Sequence, residues 1–280
     1  MEKSDELVQV HCLNCGASVH GAFCHQCGQR VRDNLDRSLG RLLGEFFSNL
    51  FFFDNRFFIS MKYLFWFPGR MTLEFLEGKR KKFISPITLF LFINLIYFFV
   101  NPLSDYSLSL YDQANSQPYS VWIKGWVEHK LQYKGLDERA YSVTYQNASD
   151  NVSKSIMIIN IPMIALFMYL MTFKKRRFYF DSLIYAFHFF SLFMVSWIFL
   201  DWVDTLIDFL VGDNSSIISN ISFYLFAFIL PLLYATLCIK KFLSIRWYWS
   251  IPAGLGVMIA LSLANLFYRF IIFTVTFWVT

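Results

Sequence analysis

The sequence predicts an all-α integral membrane protein in which about five transmembrane helices follow interfacial amphipathic helices and a small cysteine-containing module at the N-terminus. Three features lead to this fold class: an apolar composition, five long apolar stretches, and two closely spaced cysteine pairs. Of the 280 residues, 56% are hydrophobic and 16% are charged, whereas soluble domains average about 45–50% apolar and about 25% charged residues. Because so few charged side chains cannot keep so apolar a chain in water, lipid is the expected solvent for much of it.

The N-terminal module consists of two segments with the pattern Cys-x-x-Cys-Gly. Their four cysteines are Cys12, Cys15, Cys24 and Cys27. The two-residue gap allows both thiolates of a pair to reach one ion, and the glycine after each pair supplies the positive φ that closes the turn. Two such pairs provide the four sulfur ligands of a tetrahedral Zn²⁺ site. We therefore predict a zinc ribbon over residues 1–29, with a structural Zn²⁺, because four thiolates leave no ligand position for water.

Two other uses of these cysteines are disfavoured. Disulfides need an oxidising compartment, whereas the topology derived below places the module in the cytoplasm. A redox Cys-x-x-Cys motif needs a βαβ context, which the sequence lacks. The nearby His11, His20 and His25 are expected to face solvent. Because so short a segment has no core of its own, metal binding, worth about 10–16 kcal/mol in small zinc peptides, should supply its folding free energy.

Residues 30–82 are predicted to form a linker and interfacial amphipathic helices. Apolar residues recur on one helical face over 35–50, and aromatic residues dominate a second helix over 57–67. A third, short helix is predicted over 72–78. None is long enough to span a bilayer, so we expect them to lie in the inner headgroup region with their aromatic faces toward lipid. Packing on the transmembrane bundle, or a re-entrant hairpin through 57–67, are the alternatives.

Five apolar stretches are long enough to cross a bilayer, which takes about 20 residues, or about 17 at the short end. Each must be helical, because a lone strand would leave its backbone groups unpaired in hydrocarbon. The predicted spans cover residues 84–100, 155–173, 182–203, 217–239 and 249–268. Residues 101–154 then form an outer loop. Arg269 is predicted at the outer interface, with the residues after it lying in that interface, and a longer tilted helix is the alternative.

Lysine and arginine define the orientation of the predicted bundle. Basic clusters precede the first span, join the second span to the third, and join the fourth to the fifth. The intervening loops carry few basic residues for their length. The loop over 201–216 contains four aspartates and no lysine or arginine. The positive-inside rule therefore predicts a multi-pass protein of the cell membrane with a cytoplasmic N-terminus and an outer C-terminus.

A series of short motifs follows the cysteine pairs. It comprises Pro68-Gly69, then Glu77-Gly78-Lys79-Arg80, then Pro86 at the start of a span rich in Phe and Leu that contains Asn94. In order and spacing, residues 12–100 resemble a bacterial family of zinc-ribbon-containing multi-pass membrane proteins of unknown function. Phe83 stands where that family often has tyrosine. The resemblance implies a bacterial inner-membrane location and a metal-binding N-terminus, and it implies no particular activity.

Polar residues inside the predicted spans are candidate functional groups, because they are costly in hydrocarbon. His188 is the sharpest candidate, and a neutral histidine that bonds across helices is the alternative. Four spans contain one asparagine each: Asn94, Asn160, Asn220 and Asn265. Interhelical hydrogen bonds, worth roughly 0.6 kcal/mol each, would account for them. Alternatively, they line a path together with His188.

No sequence motif indicates a reaction. His-Glu-x-x-His, Gly-x-Ser-x-Gly and P-loop patterns do not occur. We therefore expect a non-enzymatic membrane protein whose cytoplasmic ribbon is a recognition or assembly module, with a transporter or channel subunit as the alternative. The expected partners are the lipid bilayer, a protein that binds the ribbon, and a second copy of the chain. Nucleic acid is not expected, because the ribbon has few basic residues.

Overall fold

The computed structural model describes residues 10–19, 21–30, 40, 55–100, 108–172, 178–211 and 216–280. The helix predicted over 35–50 lies outside the described residues, apart from Gly40, which is helical. The elements in chain order are β1 (Val10–His11), β2 (Ser18–Val19), α1 (Asn55–Trp66), α2 (Arg70–Leu76), α3 (Pro86–Val100), α4 (Leu110–Asn115), α5 (Ser120–Lys134), α6 (Glu138–Ile156), α7 (Asn160–Thr172), α8 (Tyr179–Val211), α9 (Ser216–Tyr224), α10 (Leu230–Leu243) and α11 (Trp247–Val279). The architecture is therefore α-helical, with one small two-stranded sheet.

Three described helices are long and apolar enough to cross a membrane: Tyr179–Leu210, Asn220–Leu243 and Trp247–Val279. A fourth candidate is the pair Glu138–Ser153 and Met157–Thr172, whose axes are bent by 57°. The described residues thus contain three such helices, or four if the bent pair is one span. They support a membrane protein, and the predicted number of five spans is not confirmed.

The first predicted span, 84–100, is shorter in the structure. Helix α3 begins at Pro86, which is suited to a first turn because its missing N–H has no intrahelical partner there. Its 15 residues rise about 22 Å, less than the hydrocarbon core of about 30 Å. The helix thus lies within the predicted span 84–100, but it is too short to cross the hydrocarbon core unless the bilayer thins locally or additional residues contribute.

The second predicted span, 155–173, starts at a different place. Residues up to Ile156 belong to α6, and a 3₁₀ turn over Met157–Ile159 separates α6 from α7. The apolar helix therefore begins at Asn160, inside the predicted span. The described part of the predicted outer loop is mostly helical, because α4, α5 and most of α6 lie within residues 101–154.

The C-terminal helix is continuous. Helix α11 runs for 33 residues and passes Arg269 without a break, so the alternative of a longer helix describes it better than a separate interfacial segment. Its distal part packs on α5 and α6, where Phe273 forms a small core with Tyr119, Tyr141 and Tyr145. These contacts explain why the helix continues, because they bury apolar residues on both sides.

Helix α8 occupies the centre of the described bundle and packs against α2, α3, α7 and α10. Ile184, Ala186 and Phe189 on this helix are fully buried. A helix that is apolar all round is expected to be buried or lipid-facing on every side. The buried part of α8 therefore supplies the main core around which the shorter helices assemble.

Helices α1 and α2 pack on this bundle with one side each. Leu64 of α1 and Met71 and Phe75 of α2 belong to the main core, whereas Phe58 and Trp66 of α1 are exposed. Both helices therefore pack on the bundle through their buried sides, which was the alternative to an interfacial position.

The turn between α1 and α2 approaches α10 very closely. Gly69 has a φ of +74°, and a Cβ added to it would lie 2.9 Å from the Cα of Cys238. Both the left-handed conformation and the lack of space favour glycine at this position. The Pro68-Gly69 motif thus allows α2 to dock on the bundle.

Gly69→Ala should lower the thermal stability of the purified protein more than Gly135→Ala. Both glycines have positive φ, +74° and +59°, so alanine costs about 1–2 kcal/mol of backbone strain at either position. A Cβ at Gly135 meets nothing within 4 Å, whereas at Gly69 overpacking adds about 1–3 kcal/mol. Thermal unfolding followed by circular dichroism measures both variants. Equal losses would show that the turn between α1 and α2 is not tightly packed.

Candidate metal centre and buried polar sites

The four N-terminal cysteines lie at two similar turns. In the first, the N–H of Cys12 donates to the carbonyl of Ala17 at 2.8 Å, and the N–H of Gly16 donates to the carbonyl of Cys12 at 2.7 Å. The second turn repeats both bonds around Cys24, at 2.8 Å each. The glycine that closes each turn has positive φ, as the sequence predicted. The paired strands β1 and β2, with Val10 opposite Val19, flank the first turn.

The turns bring four sulfurs into one cluster. The Sγ atoms of Cys12, Cys15, Cys24 and Cys27 all lie within 4.8 Å of one another. The closest pairs, Cys12 with Cys27 and Cys15 with Cys24, are 3.5 Å apart, too far for a disulfide bond of about 2.05 Å. Sulfurs about 2.3 Å from a central ion in tetrahedral geometry would lie about 3.8 Å apart. The arrangement therefore fits a single metal ion, and all four cysteines are free thiols.

Ionisation of these thiols is strongly coupled by their proximity. The pKa of Cys24 is lowered to about 6, chiefly because the backbone N–H of Cys27 donates to its sulfur. The N–H of Ala17 likewise lowers the pKa of Cys15, but desolvation and hydrogen bonds with the other thiols outweigh it and raise this pKa to about 12. The thiolate of Cys24 therefore forms readily, whereas the raised pKa values of Cys15 and Cys27 favour their protonated forms. A cation at the centre would stabilise all four as thiolates.

The nearby histidines do not enlarge this donor set. His11 and His25 are exposed, and neither belongs to the group of ligand atoms that the structure brings together. His20 lies outside the described residues. The four-cysteine donor set predicted from the sequence is therefore the one present in the described part of the chain.

The cysteine module is attached to the helical part by a buried hydrogen bond. The Nε2 of Gln29, next to the second turn, donates to the carbonyl of Gly78 at 2.7 Å, and Gln29 is only 2% exposed. Gly78 lies directly after α2. The sequence indicated a polar linker after the ribbon, and residues 31–36 of it lie outside the described residues.

A charged cluster between α2 and α3 was missed by sequence reasoning. Glu74 is buried, and its carboxylate accepts from the Nε of Arg70 at 2.7 Å and from the Nζ of Lys82 at 2.5 Å. The Nζ of Lys82 also donates to the hydroxyl of Tyr63 at 2.8 Å. A signal was present, because Arg70 and Glu74 are four residues apart on one helix. Lys82 was assigned instead to the basic cluster that orients the bundle.

Aromatic rings complete this charged cluster. The Nζ of Lys82 lies 4.3 Å from the ring centre of Tyr63 and 5.0 Å from that of Phe83. The guanidinium of Arg70 lies 5.8 Å from the rings of Tyr63 and Phe67. Such cation–π contacts are worth roughly 0.5–1 kcal/mol at exposed sites and more where desolvated. They connect α1, α2 and the segment leading into α3.

His188 is fully buried in α8 and joins that helix to α2. Its Nδ1 lies 2.9 Å from the Oγ1 of Thr72. This contact matches the alternative of a histidine that bonds across helices. His188 lies apart from the cavity described next, whose walls it does not form.

The structure brings together two of the four candidate asparagines. Asn160 at the start of α7 and Asn265 on α11 line one cavity of about 170 Å³, together with residues of α8 and of the turn before α10. Asn94 on α3 is half-buried and Asn220 on α9 is exposed, and neither lines this cavity. The predicted group of five polar residues is therefore divided among several places.

Comparison with known proteins gives one match. Residues 54–98 match the family described as "Protein of unknown function (DUF3667)". No curated protein and no solved structure matches the chain. The matched residues comprise α1, α2 and most of α3, and they contain every member of the charged cluster around Glu74. The similarity expected over residues 12–100 is thus supported over this part, while the cysteine module lies outside it.

Glu74→Gln should lower the free energy of unfolding by about 1–3 kcal/mol, because the amide removes the negative charge that faces Arg70 and Lys82 and leaves one acceptor oxygen for the two cations. Burial opposes ionisation of Glu74, but the bonds from Lys82 and Arg70 outweigh it and lower its pKa below the ordinary value of 4.5. The stabilisation is therefore complete above about pH 4.5 and is lost as the pH falls through the lowered pKa.

Thermal unfolding of the wild type and Glu74→Gln between pH 3 and pH 7 measures this effect, and the two curves should converge at acid pH. Glu77→Gln is the matched control, because Glu77 is exposed and pairs only at 3.3 Å with the neighbouring Lys79. A constant difference between wild type and Glu74→Gln at all pH values would contradict the assignment.

Proposed function

We propose that this protein is a non-enzymatic integral membrane protein whose four-cysteine module binds a structural Zn²⁺ and serves as a recognition or assembly module. The observation that carries the proposal is the cluster of four free thiols within 4.8 Å on a chain with three or four membrane-length helices. The family match adds no activity, because that family is itself of unknown function.

Zinc is the metal that this donor set suits best. Soft thiolates favour Zn²⁺, Cu⁺ and iron–sulfur clusters, and a closed tetrahedral site of four cysteines in a short hairpin module is characteristic of structural Zn²⁺. Such a site leaves no ligand position for water or substrate. The metal would therefore stabilise the ribbon and would not catalyse a reaction.

The surface of the ribbon supports a recognition role. Its interior is small, with Cys12, Val19 and Cys24 as its buried apolar residues, while Leu13 and Phe23 are 46% and 62% exposed. Exposed apolar side chains on a rigid turn are suitable contacts for a partner protein. The hydrogen bond from Gln29 to Gly78 would hold this surface at a fixed place beside α2.

The resemblance to a bacterial family supports a location in a bacterial inner membrane, and the basic clusters support an orientation with the ribbon in the cytoplasm. The cluster from Lys79 to Lys82 follows α2 directly, and Lys240, Lys241 and Arg246 lie at the junction of α10 and α11. Each basic residue beside the anionic inner leaflet contributes about 1 kcal/mol. This orientation also places the thiols in a reducing compartment, where they remain available to a metal.

A transporter or channel subunit is the second candidate. The cavity shared by Asn160 and Asn265 favours it. The separation of His188, which contacts Thr72, and of the exposed Asn220 weakens it, because a polar path would need these groups on converging surfaces.

Purified protein should contain one zinc ion per chain, measured by elemental analysis after preparation without chelator. Cys24→Ser should lose most of this zinc, because three thiolates bind Zn²⁺ less tightly than four. Cys238→Ser is the matched control, since Cys238 is a buried cysteine of α10 far along the chain from the four sulfurs, and its zinc content should equal that of the wild type. A content near zero in the wild type would refute the zinc site.

A photo-crosslinking residue at Phe23 should give a discrete protein adduct in cells, because this exposed side chain belongs to the proposed recognition surface. The adduct should disappear in a Cys24→Ser background, where the ribbon loses its metal. The same probe at Trp122, an exposed residue of the outer helix α5, controls for chance collisions. No adduct beyond that of the control would remove the support for a partner.

Deletion of residues 1–29 distinguishes a separable module from a packing element. If the ribbon is separable, the truncated protein inserts and its helical bundle melts within a few degrees of the full chain, since the bond from Gln29 to the carbonyl of Gly78 lies outside the main core of the bundle. Failure of the truncated protein to accumulate would show that the ribbon is needed for the bundle to fold.

A further inference from the structure

The cavity between α7, α8, α11 and the turn before α10 has an unusual combination of walls. Aromatic rings form much of its surface, from Phe190, Phe193 and Trp197 on α8 and from Phe228 in the turn. None of the ten residues that line it is charged. Any polar interaction in this cavity must therefore come from a few neutral groups.

The two asparagines among these groups present hydrogen-bond acceptors. Asn160 is 1% exposed, and its Nδ2 donates to the carbonyl of Met157 at 3.2 Å, which leaves its Oδ1 as the amide atom without a partner. The Oδ1 of Asn265 is also buried without a partner. Ser262 donates its hydroxyl hydrogen to the carbonyl of Met258. A buried acceptor without a donor costs about 1–3 kcal/mol, so the site is complementary to a ligand that donates.

The helix beside the cavity is locally irregular in a way that fits a binding site. Residues Leu225–Ile229 form a π-helical turn, in which Ala227 and Phe228 line the cavity. Pro231 follows shortly after, and its ring, which lacks an N–H, cannot continue the regular bond to the carbonyl of Ala227. Turns of this kind occur frequently at functional sites.

Charge and size restrict the ligand further. A cation would lose its hydration without a carboxylate to compensate it, so a neutral ligand is favoured over an ammonium group. A cavity of about 170 Å³ is close to the engineered cavity of about 150 Å³ that binds benzene. One or two fused rings fill such a volume, and the aromatic walls offer them edge-to-face and offset contacts.

We propose that this cavity binds a small neutral aromatic molecule that carries one N–H or O–H donor, of the size of phenol or indole. The ring packs among Phe190, Phe193 and Phe228, and the donor bonds to the Oδ1 of Asn160 or Asn265. This site is independent of the ribbon and of the metal that we assign to it.

The experiment uses the full-length protein in lipid nanodiscs with 5-fluoroindole as the probe, observed by ¹⁹F NMR. Empty nanodiscs correct for partition of the probe into lipid. We expect saturable binding at one site per chain. Methylation of the probe nitrogen removes its donor and should weaken binding about three- to tenfold, the range expected for one neutral hydrogen bond.

Variants connect this binding to the two asparagines. Asn265→Leu should weaken binding of 5-fluoroindole about three- to tenfold while having little effect on the methylated probe. Asn160→Leu should act in the same direction, but it also loses the bond to Met157, so Asn265→Leu is the decisive variant. Asn220→Leu is the matched control and should bind as the wild type does. Absence of saturable binding, or equal affinity for both probes, would overturn the proposal and leave water as the content of the cavity.

Discussion

The docking of α2 is the constraint on which the described arrangement of ribbon and bundle depends. Helix α2 has seven residues, and an isolated helix of that length is unstable in water. Its conformation must therefore be maintained by tertiary contacts. Those contacts reach α10 through Gly69, α8 through the bond between Thr72 and His188, and the segment before α3 through Glu74 and Lys82.

The end of α2 is also in contact with the cysteine module. The cysteine module attaches to Gly78 at the end of α2 through Gln29. Gly78 is itself buried, so this bond gives its carbonyl a donor where water has little access. The family match covers residues 54–98, which include α2 and the charged cluster but exclude the cysteines. The matched segment thus contains Gly78, the residue to which the cysteine module is hydrogen-bonded.

The sequence predicted the features that arise from local composition. Apolar length identified the three helices that are long enough to cross a membrane, and cysteine spacing identified the sulfur cluster, because both depend on residues close together in the chain. The bend at Met157–Ile159 was missed, since the apolar stretch runs through it without a break in pattern. The charged cluster was missed because Lys82 lies in the basic run before the first predicted span. The positive-inside rule already accounted for that run, so no acidic partner was sought for Lys82. Asn160 and Asn265 line one cavity although more than a hundred residues separate them in the chain. Their proximity results from tertiary packing, which a local sequence pattern cannot predict.

Helix α8 contributes residues both to the contact of His188 with Thr72 and to the cavity lined by Asn160 and Asn265. His188, which contacts α2, is followed within about three turns by Phe190, Phe193 and Trp197, which form a wall of the cavity. A displacement of α2 that moved His188 would therefore also move this wall, because a helix is stiff over such a distance. Coupling between ribbon and cavity would in addition need two alternative arrangements of the contact between Thr72 and His188. The histidine is suited to such a contact, since its second ring nitrogen, Nε2, is buried without a partner among the described residues, so the present arrangement satisfies only half of its hydrogen-bonding capacity.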